Sequence, residues 1–208
     1  MKTALIFGAG IFGGDEPIPA RRDLVVAADG GLDAAKRAGC PPDVAVGDFD
    51  SAQSAPPPGC ETVRLPREKD ITDGFAAAEE AVKRGCGRLL FYGMLGGRPD
   101  HSFANLAMLA RLSKQGADAR LYGAGYEITA VTDGAITYPP RKTGTVSVFS
   151  FTDKSEGVTL KGLKYPLTDA VMTNDFGLGV SNERTGEAAE IRVRRGTLIV
   201  MTDFLRSV

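Results

Sequence analysis

Asp48 and Asp50 stand two residues apart in Val44-Ala-Val-Gly-Asp-Phe-Asp-Ser51. In an extended chain, side chains at i and i+2 leave the backbone on the same side. Both carboxylates therefore project together, while Phe49 turns to the other side. Two carboxylates about 4 Å apart repel by roughly 4 kcal/mol at an effective dielectric near 20, which calls for a cation between them. A few hard oxygen ligands suit Mg²⁺, which keeps several waters and shares its sphere with substrate phosphates. The same octapeptide also reads as a polar turn, because Gly, Asp and Ser are turn residues. What favours the chemical reading is the company it keeps. Asp29-Gly-Gly31, Lys69-Asp70-Ile-Thr72-Asp73 and Gly96-Gly97-Arg98-Pro-Asp100-His101 are three further charged loops.

The elements that must position these loops follow from the apolar runs. Thr3 to Phe7, Leu24 to Ala28, the run ending at Val46, Glu61 to Leu65, Arg88 to Tyr92 and Ala119 to Tyr122 read as strands. Leu32 to Ala38 reads as a helix stopped by Gly39 and Pro41-Pro42. Asp70 to Arg84 reads as a second helix, with Asp70 as N-cap, Asp73 at the third position, and a stripe of Phe75, Ala78, Ala81 and Val82. Phe103 to Lys114 reads as a third, with Phe103, Leu106, Ala107 and Ala110 on one face and Asp100 as a candidate N-cap. Alternating strands and helices predict a mostly parallel sheet with helices on both faces. Ligands of such sheets sit at the carboxyl ends of the strands, which is where the four charged loops fall.

From about Glu127 the helical period disappears. Short runs separated by Gly, Pro and Asp, such as Ile128–Val131, Ala135–Tyr138, Thr145–Phe151, Gly157–Leu160, Glu190–Val193 and Thr197–Phe204, predict an antiparallel β-sandwich. The expected organisation is an α/β domain over 1–125 followed by a sandwich domain over 126–208. Gly8-Ala-Gly10-Ile-Phe-Gly13 matches the dinucleotide pattern G-x-G-x-x-G, but Pro17 and Pro19 deny it the helix that the fingerprint must open.

The totals narrow the class. The chain has 208 residues, is 43% hydrophobic and 25% charged, and carries a net charge of −1. Disorder and general nucleic-acid binding both disagree with that balance. An anionic substrate must then be held by local cations or a metal. No run reaches the length of a membrane span, and the apolar start breaks at Gly8 before a signal core forms. Cys40, Cys60 and Cys86 are odd in number and widely spaced, which fits reduced thiols in the cytoplasm. His101 is the single histidine, so a His-rich metal site is excluded.

Taken in order, Ala28-Asp29-Gly30-Gly31, Gly47-Asp48-Phe49-Asp50-Ser51, Lys69-Asp70-Ile71-Thr72-Asp73 and Gly96-Gly97-Arg98-Pro99-Asp100-His101 closely resemble the motifs of thiamine pyrophosphokinases. The resemblance extends to Leu178-Gly-Val-Ser181-Asn182-Glu183 and to Gly196-Thr-Leu-Ile-Val200, and so covers nearly the whole chain. It implies transfer of pyrophosphate from ATP to the hydroxyethyl oxygen of thiamine, giving thiamine diphosphate and AMP. It implies Mg²⁺ held by Asp48, Asp50 and Asp73, with Asp29 joining through water. Arg98 would fork onto phosphate oxygens and Lys69 would act as a point charge. Gly30, Gly31, Gly96 and Gly97 would let backbone N–H groups approach phosphate, and Ser51, Thr72 and His101 would complete the ATP site. His101 also reads as a satisfied first-turn residue. Asp73 or Asp100 would accept the hydroxyl proton. Ser181 and Asn182, which also read as a hairpin turn, would belong to a thiamine pocket shared across a homodimer. The family often carries a tryptophan near the vitamin. This chain has none, and Phe176 or Tyr165 is the candidate to stack in its place. A different alcohol acceptor, such as a hydroxymethylpterin, or a non-catalytic nucleotide or thiamine diphosphate sensor would use the same residues.

Overall fold

Six parallel strands carry the candidate loops: β1 (Lys2–Phe7), β2 (Leu24–Ala28), β3 (Val44–Gly47), β4 (Glu61–Arg64), β5 (Cys86–Tyr92) and β6 (Asp118–Gly123). The computed structural model describes residues 1–48, 55–66 and 70–204. It divides into two compact units, Met1–Met108 with Gly116–Ala124, and Leu109–Gln115 with Gly125–Val208. In the first unit the strands lie in the order β6-β5-β1-β2-β3-β4, all neighbours parallel. Ala4 to Phe7 of β1 and all of β2 are buried. Strands covered on both faces need continuous apolar runs rather than alternation, and both have them.

Register places Phe7 beside Ala27 on one side and Tyr92 on the other. The chain builds β1 to β4 in one direction and then returns to lay β5 against the free side of β1. The carboxyl ends of β1 and β5 are therefore where successive connections part in opposite directions. That divergence opens a crevice without removing any ladder bond.

Helices α1 (Gly31–Arg37) and α2 (Asp73–Lys83) pack on the sheet, α1 on β1 and β2, and α2 across β1, β2, β3 and β5. Buried Ala76, Ala77, Ala78 and Ala81 form the face of α2. Small side chains let the helix lie close to the strands. Phe75 is only half-buried and Val82 is exposed, so the expected stripe of α2 is corrected at both positions. The helix also begins at Asp73, not Asp70: the Thr72 hydroxyl accepts from the Phe75 N–H at 3.2 Å and is the cap. Helix α3 (Pro99–Lys114) begins earlier than expected, with Pro99 in the first helical position, where a missing N–H costs nothing. Asp100 consequently lies in its first turn and is not its cap. The buried stripe of α3 is Asn105, Met108, Leu109 and Leu112; of the expected face Ala110 is buried beside it, while Phe103 is 67% exposed.

Among the described residues the second unit contains eight strands: β7 (Tyr126–Thr132), β8 (Ala135–Tyr138), β9 (Thr145–Ser150), β10 (Lys154–Lys161), β11 (Leu167–Thr173), β12 (Gly179–Glu183), β13 (Ala189–Arg192) and β14 (Thr197–Asp203). They pair antiparallel as β12-β9-β14-β7 and β11-β10-β13-β8. Val146 and Val148, Val158 and Leu160, Ala189 and Ile191, and Leu198 and Val200 point into one core at the two-residue period of a strand. This is the expected sandwich, with β11 and β12 added to the strands read from sequence.

Gly31 fixes the seat of α1. A Cβ there would lie 1.9 Å from the Phe7 carbonyl oxygen, far inside contact distance. Gly31→Ala should destabilise the protein by about 2–4 kcal/mol through backbone displacement. Urea denaturation checks this, and a loss below about 0.5 kcal/mol would show that α1 does not depend on that approach.

Candidate active site

A cleft of about 360 Å³ lies at the crevice. Gly8, Ala9 and Gly10 enter it from β1, Ala28 and Asp29 from β2, and Thr72, Asp73 and Gly74 from the start of α2. Gly93, Met94, Gly96, Gly97 and Arg98 enter from the loop after β5, and His101 and Asn105 from α3. Three of the four loops singled out in sequence therefore reach one cavity.

Its rim is laced by main-chain bonds. The N–H groups of Gly8, Gly10 and Ile11 donate to the carbonyls of Tyr92, Gly93 and Leu95 at 2.8, 2.7 and 3.1 Å. These bonds continue the β1–β5 pairing past the strand ends. A side chain on Gly8 or Gly10 would meet the Gly93 oxygen within 2.8 Å, so both glycines serve close backbone approach. No helix follows them before β2, so the context of a dinucleotide fingerprint is absent. Glu16 secures the remainder of this loop, accepting from the Gly13 and Gly14 N–H groups at 3.0 and 2.8 Å. Beneath, Tyr92 stacks between Phe7 and Tyr122 at centroid distances of 5.1 and 5.6 Å. Its hydroxyl donates to the Pro17 carbonyl, and burial pushes its pKa well up. Tyr92 is a structural pillar, not an acid or base.

Asp29 lines the cleft in an uncommon backbone conformation, φ +46°. Its N–H donates to the Val46 carbonyl at 2.8 Å, continuing the β2–β3 ladder by one residue. Gly47 makes room for it: a Cβ at position 47 would lie 3.2 Å from the Asp29 Cα. Asp48 follows β3 and is half-buried. Asp73 stands in the first turn of α2, where the positive end of the helix favours a carboxylate. Asp50, Ser51 and Lys69 lie outside the described residues. Among the described residues, no three acidic, histidine or cysteine side chains converge on one point. Asp29 and Asp73 with glycine-flanked walls are hard oxygen donors beside room for an anion, which fits Mg²⁺ that takes its remaining ligands from phosphate and water.

Arg98 is turned toward Asp100. Its Nε and Nη2 donate to the two carboxylate oxygens at 3.2 and 2.5 Å, and both side chains are exposed. The Arg98 hydrogen bond holds the Asp100 carboxyl below the ordinary aspartate range and raises the pKa of Arg98 in turn. His101 is exposed at the mouth of the cleft. Gly30 caps α1 without a side-chain bond, and Gly31 has the packing role given above. Gly96 and Gly97 both adopt positive φ, and Ile11 fills the space a side chain at 96 would need.

Ser181 and Asn182 belong to the second unit, in β12. They form a bulge and not a hairpin turn: the register with β9 shifts between Gly179 and Asn182, and Ser181 has φ +56°. The buried Asn182 amide accepts from the Tyr165 and Glu183 N–H groups and donates to the Tyr165 carbonyl. These bonds fix the loop that displays Tyr165. Tyr165 and Phe176 are 58% and 68% exposed. Sequence reasoning passed over Met94, Glu16 and Asn105. For Asn105 a signal existed, since a polar residue occupies the first position of the buried i, i+3, i+4, i+7 stripe of α3.

A mostly parallel sheet with acidic and glycine-rich loops at its switch point is an arrangement suited to a polyphosphate substrate. Two family descriptions match the chain, "Thiamin pyrophosphokinase, catalytic domain" over residues 18–121 and "Thiamin pyrophosphokinase, vitamin B1 binding domain" over residues 135–198. The thiamine pyrophosphokinase of Bacillus subtilis (strain 168) is 30% identical over 172 residues, 79% of each chain. The crystal structure of thiamine pyrophosphokinase from Bacillus subtilis aligns over 97% of this chain and 99% of its own, with a TM-score of 0.85 and 26% identity. That of the yeast enzyme shares the fold at a TM-score of 0.73 and 16% identity, over 98% of this chain and 86% of its own. The chain belongs to the thiamine pyrophosphokinase family.

The Arg98–Asp100 pair is present at neutral pH and is lost as pH falls through the lowered Asp100 pKa. In Arg98→Ala the Asp100 carboxyl should titrate at higher pH than in the wild type, as followed by carboxyl ¹³C NMR. An unchanged midpoint would show that the pair does not set it.

Proposed function

We propose that this chain transfers the pyrophosphoryl group of ATP to thiamine, with the first unit holding ATP and the second supplying the vitamin-binding surface. The observation that carries this is the switch-point cleft of a thiamine pyrophosphokinase-family chain, walled by Asp29, Asp73, Arg98 and glycine backbone. The hydroxyethyl oxygen of thiamine attacks the β-phosphorus of ATP. The bond from that phosphorus to the oxygen bridging the α-phosphate breaks, and AMP leaves. The hydroxyl proton passes to a carboxylate of the site, Asp73 or Asp100. No covalent help from the protein is required, because such transfers depend on position and charge neutralisation.

Mg²⁺ fits the hard donors of the site, with Asp48, Asp50 and Asp73 as its expected ligands and Asp29 behind a water, and would neutralise phosphate charge. Arg98 exchanges Asp100 for a phosphate oxygen when ATP enters. An exposed single carboxylate competes poorly with a triphosphate for the same fork. That exchange also removes the main cause of the lowered Asp100 pKa and leaves its carboxylate the stronger base. The backbones of Gly30, Gly31, Gly96 and Gly97, with Ser51, Lys69, Thr72 and His101, complete the ATP site in this reading. Asn182 acts on the vitamin side by fixing the Tyr165 loop, while Ser181 shapes the bulge beside it. Tyr165 and Phe176 are the aromatic surfaces available to the thiamine rings. Exposed Val171, Phe176, Leu178 and Val180 on the second unit support a homodimer, since apolar side chains of this size are normally covered. No helix among the described residues is long and apolar enough to cross a membrane, and the unpaired cysteines support a cytoplasmic setting. A pterin acceptor or a binding-only sensor is not favoured by the family match, which includes the vitamin-binding description.

With thiamine, Mg²⁺ and ATP the protein should release AMP in step with thiamine diphosphate. Formation of ADP, or tight binding with no AMP, would contradict the assignment. Asp73→Asn should keep the circular dichroism of the wild type and lower kcat by about 10²-fold or more, as expected when a charged group of a phosphoryl-transfer site is neutralised. Near-normal turnover would remove Asp73 from the chemistry. Sedimentation equilibrium should give twice the chain mass, and a monomer at micromolar concentration would contradict the shared vitamin site.

A further inference from the structure

Met94 and Asn105 stand in the cleft wall and have no part in the reading above. Met94 is 7% exposed and Asn105 is 6% exposed, and both line the cavity. The Met94 sulfur lies 3.0 Å from the point where a side chain on Gly8 would begin, and 3.0 Å from the same point on Gly74. Gly8 opens the loop after β1, and Gly74 follows Asp73 in the first turn of α2. One thioether therefore abuts both the glycine loop and the helix end that presents Asp73. Its main chain is held from a third element: the Asn105 Nδ2, on α3, donates to the Met94 carbonyl at 2.7 Å. Burying an amide costs free energy unless it is hydrogen-bonded, so this bond accounts for a polar residue in the α3 stripe. Methionine suits such a seat, because an unbranched side chain fills an irregular gap between rigid backbones.

We propose that Met94 and Asn105 are positioning residues that set the separation between the Gly8–Gly10 loop and Asp73, and so preset the seat of the ATP phosphates. The inference rests on the reading of this cleft as the ATP site. It predicts a defined coupling: a side chain at position 74 crowds the Met94 thioether, and shortening the Met94 side chain relieves the crowding.

The test uses the full chain, with steady-state kinetics of AMP release at varied ATP and varied thiamine. Gly74→Ala should raise the KM for ATP about tenfold and leave the KM for thiamine within about twofold, because a misplaced Asp73 weakens phosphate binding first. The double variant Gly74→Ala with Met94→Ala should return to within about threefold of Met94→Ala alone, the non-additivity expected of residues in contact. Asn105→Leu keeps the α3 stripe apolar and removes the donor. Its melting temperature should fall by a few degrees, because the Met94 carbonyl loses its donor, while its KM for ATP should rise about fivefold with the KM for thiamine within about twofold. Multiplicative effects in the double variant, an unchanged KM for ATP in Asn105→Leu, or equal shifts in both KM values would each overturn the proposal. If the wild type releases no AMP with thiamine, the functional reading fails. The positioning claim is then decided by the Kd of a non-hydrolysable ATP analogue in the same variants, with the same ratios expected.

Discussion

Parallel pairing of β1 with both β2 and β5 is the constraint on which the first unit depends. Once β5 occupies the free side of β1, the connections leaving their carboxyl ends must diverge, and a cavity opens at that edge. The ladder does not stop at the strand ends. Gly8, Gly10 and Ile11 continue it onto Tyr92, Gly93 and Leu95. That continuation requires glycine at 8 and 10, because a side chain there would strike the opposing carbonyl. The glycine-rich rim is thus imposed by strand pairing first.

Charge is arranged locally, as a net charge near zero demands. Asp29 is carried into the cleft by a positive φ that Gly47 leaves room for, and Asp73 by the start of a helix whose cap is Thr72. Arg98 pairs with Asp100. The site therefore holds this guanidinium–carboxylate pair at the surface, where the pair is weak and exchangeable. A buried pair would resist exchange, since separating its members leaves an unpaired charge.

Much of this architecture was legible in the sequence, for reasons that differ by element. The strands of the first unit are buried on both faces and appear as unbroken apolar runs. The start of α2 was misplaced because Asp70, Thr72 and Asp73 are all capping types, and only geometry shows that the Thr72 hydroxyl makes the bond. Pro99 was read as loop although proline is at home in a first helical turn. The stripe of α3 was rotated because alanines fit either face and Asn105 concealed the true one. Strands β11 and β12 escaped notice because their burial is sparse and the Ser181 bulge breaks the alternation of β12. The site loops were found because several charged types recur beside glycine in a fixed order. Met94 and Asn105 were not, because their role lies in contacts between elements distant in sequence.

The most direct test of the account is a crystal structure with a non-hydrolysable ATP analogue and Mn²⁺ in place of Mg²⁺. The account predicts an anomalous peak in the β1–β5 crevice, about 2.1 Å from a carboxylate oxygen of Asp73 and from a phosphate oxygen. Arg98 should then have left Asp100 for the triphosphate. A nucleotide bound elsewhere, or an ion that none of Asp29, Asp48, Asp50 and Asp73 approaches, would contradict it.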